Sequence, residues 1–322
     1  MIEDTSNVDA VIAALDKAAS EGSGGPVLLW LETPSNPLLR VTPLARVVAE
    51  AQKRGALTAC DSTWMTPALC RPLEHGIDFV VHSTTKHIGG HSDLLGGVVI
   101  ADIQPAEAAL VPADLESESA PADAPIESKG ASEREQLRDE VWAQVRLSQQ
   151  LQGGVAAPFD AWLAMRGLRS LPARMMMAGA SARVLASRLE EHPLVGQVHY
   201  PGLESHPGHA VTKEQTDWEQ FGFGAMLSVR LPFGEQGDDS PDFAVETAAR
   251  VRVFRRATSL GGTESLIEHR RTIEPEWSKT PASLLRVSVG LENTEDLWRD
   301  IKTAIDGAAR HLGITSGSTT RQ

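Results

Sequence analysis

From Val27 to Ile100, short apolar runs alternate with one segment of helical period: "VLLWLE", "TPLARVVAEAQKRG", "ALTAC", "IDFVVHS" and "LLGGVVIA". The second segment predicts a helix with Thr42 as its cap, Pro43 at its first position, Leu44, Val47, Val48 and Ala51 on one face, and Gly55 past its end. The runs around it are nearly continuous in apolar residues, which predicts parallel strands covered on both faces. Strand and helix alternate, so this half reads as α/β.

The pattern breaks at Asp102. Asp102 to Ser128 holds four prolines, seven acidic residues and no Lys or Arg. Such a tract cannot bury enough apolar surface to offset its ordering entropy, so a solvated acidic insertion is expected, drawn at 102–137. Helical periodicity resumes in "REQLRDEVWAQVRLSQQL", "PFDAWLAMRGL" and "LPARMMMAGASARVLASRLEEH", the last a candidate link between two domains. Met175 to Met177 read as helix packing. Beyond Pro193 the strand-like "VGQVHYP", "GAMLSVRL" and "LLRVSVG", with helices in "FAVETAARVRVF" and "TEDLWRDIKTAIDGAARHL", predict a smaller α/β domain.

The chain of 322 residues carries a net charge of −13 and 41% hydrophobic residues. That is enough to bury a two-domain core, and it excludes a basic surface for nucleic acid or anionic membranes. No apolar run approaches the roughly 20 residues needed to span a bilayer, and the N-terminus lacks a signal-peptide pattern, so a cytoplasmic setting is expected. The two cysteines, Cys60 and Cys70, predict free buried thiols rather than a disulfide framework.

Candidate chemistry concentrates in "DFVVHSTTKHIGGHSDLLGGVVI". Lys86 directly follows a strand-like run, and ligands of open α/β sheets gather beyond the carboxyl ends of strands. A lysine amine in such a place suits covalent chemistry, most commonly with pyridoxal phosphate. Ser83 and Thr85 offer hydroxyls to a phosphate, and Gly89, Gly90, Gly96 and Gly97 allow close backbone approach. Asp61 ends the preceding run at the same expected sheet edge, as a partner for a pyridinium nitrogen or as an ordinary turn or helix cap. A metal reading competes through His82, His87, His91 and Asp93, but their spacing is not that of one helix face and it leaves the lysine and glycines without a role.

"ETPSNPLLRV", "DSTWMTPAL", "HSTTKHIGGHSDLLGG", "PFDAWLAMRGLRSLPARM", "HYPGL", "GFGAMLSV", "SLGGTESLIEHR" and "LLRVSVGLE" occur in an order that resembles the Cys/Met metabolism family of pyridoxal-phosphate enzymes, the cystathionine γ-synthase and γ-lyase group. The resemblance implies the aspartate-aminotransferase-like fold (fold type I). Residues 1–191 would be a partial cofactor-binding large domain and 192–322 the small C-terminal domain. It implies that Lys86 is the Schiff-base residue, that Asp61 pairs with the pyridine nitrogen, and that Ser83 and Thr85 bond the phosphate. Asn36 would lie near the cofactor's phenolic oxygen and the substrate carboxylate, a position otherwise read as a turn asparagine. Arg286 would take the substrate α-carboxylate and Ser259 would line the same pocket. Taken without the resemblance, Arg286 is equally an arginine of a structural ion pair.

The implied partners are an amino-acid substrate and, in a full-length form, further copies of the chain as a dimer or tetramer. The implied reaction is γ-replacement on an O-acyl-homoserine, with γ-elimination as the alternative. Many γ-synthases and γ-lyases carry an acidic residue before the serine of "SLGG", where this chain has Thr258. "SLIEHR" favours the synthase side. The family's large domain also has a preceding segment with a phosphate loop, residues reaching across the dimer and a ring-stacking tyrosine. The only tyrosine here is Tyr200, in "HYPGL". The expectation is therefore an N-terminally truncated member, with a catalytically impaired remnant serving as an oligomer partner as the alternative of another class.

Overall fold

The computed structural model describes residues 4–21, 25–101, 103, 132–232 and 239–314. Its first half runs α1 (Val8–Glu21), β1 (Leu28–Glu32), α2 (Leu44–Lys53), β2 (Leu57–Asp61), α3 (Thr66–Leu69), β3 (Phe79–Ser83), β4 (Gly97–Ala101), α4 (Glu133–Gln152) and α5 (Pro158–Glu190). The four strands form one sheet in the order β1-β2-β3-β4. The first three are parallel, as their apolar runs predict, whereas β4 is antiparallel to β3. The short return from Ser83 to Gly97 accounts for that correction, because a parallel neighbour needs a longer crossover.

Helix α2 buries Leu44, Val47, Val48 and Ala51, and Gly55 beyond it has φ 68°. Thr42 does not cap it. Pro43 stands at the N-cap without a side-chain bond, and the Thr42 hydroxyl instead meets that of Thr5 at 2.6 Å. The expectation of strands covered on both faces fails at β1, where Leu28 and Trp30 are exposed while Leu29 and Leu31 are buried. Helix α4 covers only the neighbouring strands, through Leu137, Val141 and Trp142 against Leu57, Ala59 and Phe79.

Helix α4 also corrects the bounds of the expected insertion. Ser132 and Glu135 close a capping box, so 133–137 are helical. Residues 104–131 lie outside the described residues. The helical patterns on either side of Pro172 form one 33-residue helix, α5, because Gly167, Leu171, Arg174 and Met175 keep a continuous buried face across the proline.

The second half comprises β5 (Gln197–His199), α6 (His209–Gln215), α7 (Trp218–Phe221), β6 (Met226–Arg230), α8 (Asp242–Arg250), β7 (Arg255–Arg256), β8 (Leu266–His269), β9 (Leu284–Ser288) and α9 (Thr294–Leu312). Its sheet has the order β5-β6-β9-β8-β7. Helix α5 serves both cores: Leu171 and Met175 pack under the first sheet, and Leu185, Ala186 and Leu189 pack with the second. Met176 and Met177 are half-exposed, so only Met175 of that run packs. Tyr200 is buried in the second core, with its hydroxyl donating to the Gly224 carbonyl at 3.0 Å. Cys60 and Cys70 are free and buried, and burial raises both thiol pKa values, that of Cys70 to about 12.

Candidate active site

The carboxyl ends of β1, β2 and β3 finish at one edge. Parallel pairing sets Glu32 directly beside Asp61. The Thr63 amide donates to Asp61 Oδ1 at 2.9 Å, and the Thr63 hydroxyl accepts from the Ser83 amide at 2.9 Å, so the ends of β2 and β3 are tied. Past Ser83 the chain makes a single π-helical turn, Thr84–Ile88, in which Lys86 has a non-helical backbone (φ −91°, ψ −131°). Such turns recur where a side chain must be re-aimed at a site.

Two devices hold this turn. Arg174 of α5 is buried and meets no carboxylate among the described residues. Its guanidinium donates to the carbonyls of His87 at 2.7 Å, Ile88 at 3.4 Å and Gly167 at 2.9 Å. From the other side Gly261 (φ 81°) packs so closely that a Cβ there would stand 2.5 Å from the His87 nitrogen and 2.9 Å from the Lys86 carbonyl carbon.

The second sheet supplies the facing wall. Arg286 on β9 has Ser228 of β6 on one side and Glu268 of β8 on the other. Ser228 donates to the Pro37 carbonyl at 2.8 Å, while Arg286 Nη1 donates to Asn36 Oδ1 at 3.2 Å, so adjacent strands grip the loop after β1. Arg286 Nη2 also donates to the Ser259 carbonyl at 3.1 Å and lies 2.5 Å from Glu268 Oε2. Between the walls Lys86 Nζ donates to Ser259 Oγ at 2.7 Å. The pocket between the walls, open to solvent on one side, has a volume of about 380 Å³.

Lys86, Asp61, Ser83, Asn36, Ser259 and Arg286 all line this space. Thr85 does not: its hydroxyl donates to the Gly96 carbonyl at 3.2 Å and accepts from the Gly96 amide at 2.9 Å. Thr258 lines it too, beside Ser259, as do Glu32, Thr63, Trp64, Leu260 and Arg270, which were not foreseen there. Glu32 had a signal, since it ends an apolar run just as Asp61 does. Arg270 was visible as the last letter of "SLIEHR", but nothing in the sequence put it beside Arg286.

Electrostatics follow from burial. The Lys86 ammonium is pushed below the ordinary lysine value by desolvation first and by Arg286 second. Burial raises the Glu32 carboxyl to about 7, with the Asp61 charge adding to it. Burial holds His87 down at about 4 and also lowers His82. His91 bonds its own turn at the Gly89 carbonyl, and among the described residues no three His, Cys, Asp or Glu side chains are grouped to hold a metal.

Several known proteins are similar to this chain. Cystathionine γ-synthase of Mycobacterium tuberculosis is 36% identical over 299 residues, covering 91% of this chain and 66% of the relative. Cystathionine γ-lyase of Bacillus subtilis is 34% identical over 289 residues, covering 86% of this chain and 63% of the relative. Among solved structures, cystathionine γ-synthase from Xanthomonas oryzae pv. oryzae in complex with cystathionine superposes with a TM-score of 0.72 at 35% identity, over 95% of this chain and 68% of the other. MetB from Corynebacterium glutamicum gives a TM-score of 0.75 at 32% identity, over 94% of this chain and 67% of the other. The chain thus spans about 66% of the length of the first curated relatives it matches. No helix among the described residues is long and apolar enough to cross a membrane. The profile described as "Cys/Met metabolism PLP-dependent enzyme" matches residues 3–306, and the chain belongs to that family.

Proposed function

We propose that this chain carries the active site of a pyridoxal-phosphate-dependent transsulfuration enzyme that performs γ-replacement on an O-acyl-homoserine, as a cystathionine γ-synthase does. One observation carries the reading: the half-buried Lys86 amine, held below its ordinary pKa chiefly by desolvation, shares one pocket with the carboxylates of Glu32 and Asp61 and with the buried Arg286. These residues fit the cofactor. Lys86 Nζ would hold it covalently, Asp61 would face its ring nitrogen, and Ser83 would bond its phosphate, with Thr85 joining if its hydroxyl leaves Gly96. When bound, pyridoxal phosphate supplies the electron sink that carbanion chemistry at an amino acid's α-carbon requires.

The chain's own residues do the rest. Arg286 and Asn36, already bonded to each other, bind and orient the substrate α-carboxylate. The Lys86 amine, once released, is the base at the substrate α-carbon and carries protons to its β- and γ-carbons. Ser259 holds that amine through its hydroxyl. Trp64 and Leu260, both buried, give the space an apolar wall. Homo-oligomerisation is part of the proposal, read from the family and measurable by light scattering.

Borohydride reduction of the cofactor-loaded chain, followed by peptide mass analysis, tests the assignment, and the pyridoxyl mass is expected on the peptide containing Lys86. Label on any other lysine overturns it. With O-succinyl- or O-acetyl-homoserine and cysteine, cystathionine is the expected product. A 2-oxo acid and ammonia instead would move the reaction to γ-elimination, the reading that Thr258 in place of an acidic residue keeps in play.

A further inference from the structure

Glu268 stands between two arginines. On one side it meets Arg286 at 2.5 Å; on the other, Arg270 Nη1 lies 3.6 Å from the same Glu268 Oε2. Glu268 is buried, and neither of its oxygens accepts a well-aligned hydrogen bond among the described residues. Both arginines line the active-site space, whereas Glu268 is not among its lining residues. Arg270 is itself anchored, through Nε, to Glu274 Oε1 at 2.6 Å.

If Arg286 binds the substrate carboxylate, a conflict follows. Its two terminal nitrogens already serve Asn36, Ser259 and Glu268. A second carboxylate would then crowd against Glu268, and like charges at such distances cannot both remain ionised without another cation. Either Glu268 takes up a proton or it changes partner. The 3.6 Å gap to Arg270 exceeds a charge-assisted bond by less than about 1 Å, within reach of a side-chain rotation.

We propose that Arg270 is a positioning residue that takes over Glu268 when a ligand carboxylate engages Arg286, so that the ligand binds without protonating Glu268. The inference rests on the reading of Arg286 given above. The charged groups facing Glu268 are Arg286 on β9, Arg270 in the turn after β8 and Lys86 on the π-turn, while Glu274 and Glu32 act on the same arginines. His269 is turned elsewhere, bonded to Thr272 and the Ala282 carbonyl. The exchange leaves the count of charges in this cluster unchanged, and only the pairing moves.

Calorimetry on the cofactor-loaded chain in two buffers of different ionisation enthalpy tests this. The probes are L-2-aminobutanoate, which lacks a γ leaving group, and propylamine, the same molecule without its carboxylate. The wild type should prefer L-2-aminobutanoate by at least about tenfold, and the carboxylate should add no proton uptake. In Arg270→Met it should add up to about one proton, with affinity for L-2-aminobutanoate alone falling as pH rises, by up to about tenfold per pH unit. Arg270→Lys keeps the charge and should restore the wild-type stoichiometry. Glu268→Gln in the Arg270→Met background should abolish the extra uptake. Identical proton stoichiometry and affinity in wild type and Arg270→Met would overturn the proposal. Failure of the wild type to distinguish the two probes would instead remove the underlying reading of Arg286, a separate and recognisable result.

Discussion

Lys86 Nζ and Ser259 Oγ meet at 2.7 Å although 173 positions separate them in the chain. Both ends of that bond have unusual backbones: Lys86 lies off the helical region inside its turn, and Ser259 has φ 84°. The left-handed backbone of Ser259 costs of order 1–3 kcal/mol and persists where surrounding structure over-determines it. Here Arg286 does so at Ser259, while Arg174 and Gly261 hold the Lys86 turn. The bond joins the edge of the first sheet to the turn preceding β8, so amine placement depends on both halves of the chain.

The Lys86 amine should titrate below the usual lysine value of about 10.4. Dimethylation with ¹³C reagent and NMR of the cofactor-free chain would show its resonance moving at lower pH than those of the exposed lysines. Arg286 is the second-largest cause of the depression. Arg286→Met should therefore move the Lys86 midpoint upward, and an unmoved midpoint would remove Arg286 as a cause of the depression.

Arg286→Lys should raise KM for the amino-acid substrate even though charge is kept. An ammonium cannot reach Asn36 and the Ser259 carbonyl while presenting two parallel donors to a carboxylate. Losing one charge-assisted bond costs about 1.5–3 kcal/mol, which is roughly tenfold to a hundredfold in KM. Steady-state kinetics at saturating cofactor would measure it, and an unchanged KM would assign Arg286 to the Glu268 ion pair alone.

The parallel β1-β2-β3 unit and the strand-end positions of Asp61 and Lys86 were legible because continuous apolar runs and the glycine-rich turn are local signals. Arg286 was legible in role only through the resemblance, since its meaning comes from Asn36 and Ser259, neither of which is near it in the chain. Glu268 and Arg270 were not legible, because they act through cross-strand register between β8 and β9, and pairing partners are not written in either strand. The bond that draws the Thr85 hydroxyl to the Gly96 backbone was not legible for a similar reason, because it forms only when the turn closes on itself. The antiparallel β4 was missed because an apolar run states burial and not direction.

Glu32 should make stability depend on pH between the acidic and neutral ranges. Its carboxyl is raised from 4.5 to about 7 in the folded chain, chiefly by burial. From pH 4.5 to 7 the folded state keeps a proton that the unfolded state has released, so this contribution is fully present below 4.5 and is lost as pH rises through 7. The loss is up to about 3 kcal/mol. Urea unfolding of the cofactor-free chain at pH 5 and pH 8 should show it, and Glu32→Gln should flatten that part of the profile.

Arg134 should anchor α4 to the first sheet. Its guanidinium donates to Asp78 at 2.6 and 2.7 Å, and buried Asp78 also accepts from the Thr58 amide and hydroxyl, both at 2.8 Å. Arg134→Met leaves that carboxylate without its cation, at a cost of about 3–5 kcal/mol for a fully buried pair and less here because Thr58 remains. The midpoint of chemical unfolding should fall accordingly, while the double change Asp78→Asn with Arg134→Met should recover part of the loss.

Gly261→Ala should disable the site without touching any group that contacts a ligand. Its φ of 81° is unfavourable for alanine, and the new Cβ would lie 2.5 Å from the His87 nitrogen and 2.9 Å from the Lys86 carbonyl carbon, both backbone atoms that cannot rotate aside. Either the turn before β8 withdraws, or the π-turn shifts and carries Lys86 with it. In both cases the Lys86–Ser259 bond lengthens and the amine loses its aim. A misplacement of about 1 Å in a reacting group lowers turnover by roughly a hundredfold. Cofactor affinity should fall along with turnover, while the second core, centred on Tyr200 and Phe243, lies elsewhere and should keep its near-ultraviolet circular dichroism. Retention of wild-type cofactor affinity and turnover in Gly261→Ala would mean that the close approach of these two turns is not what positions the lysine.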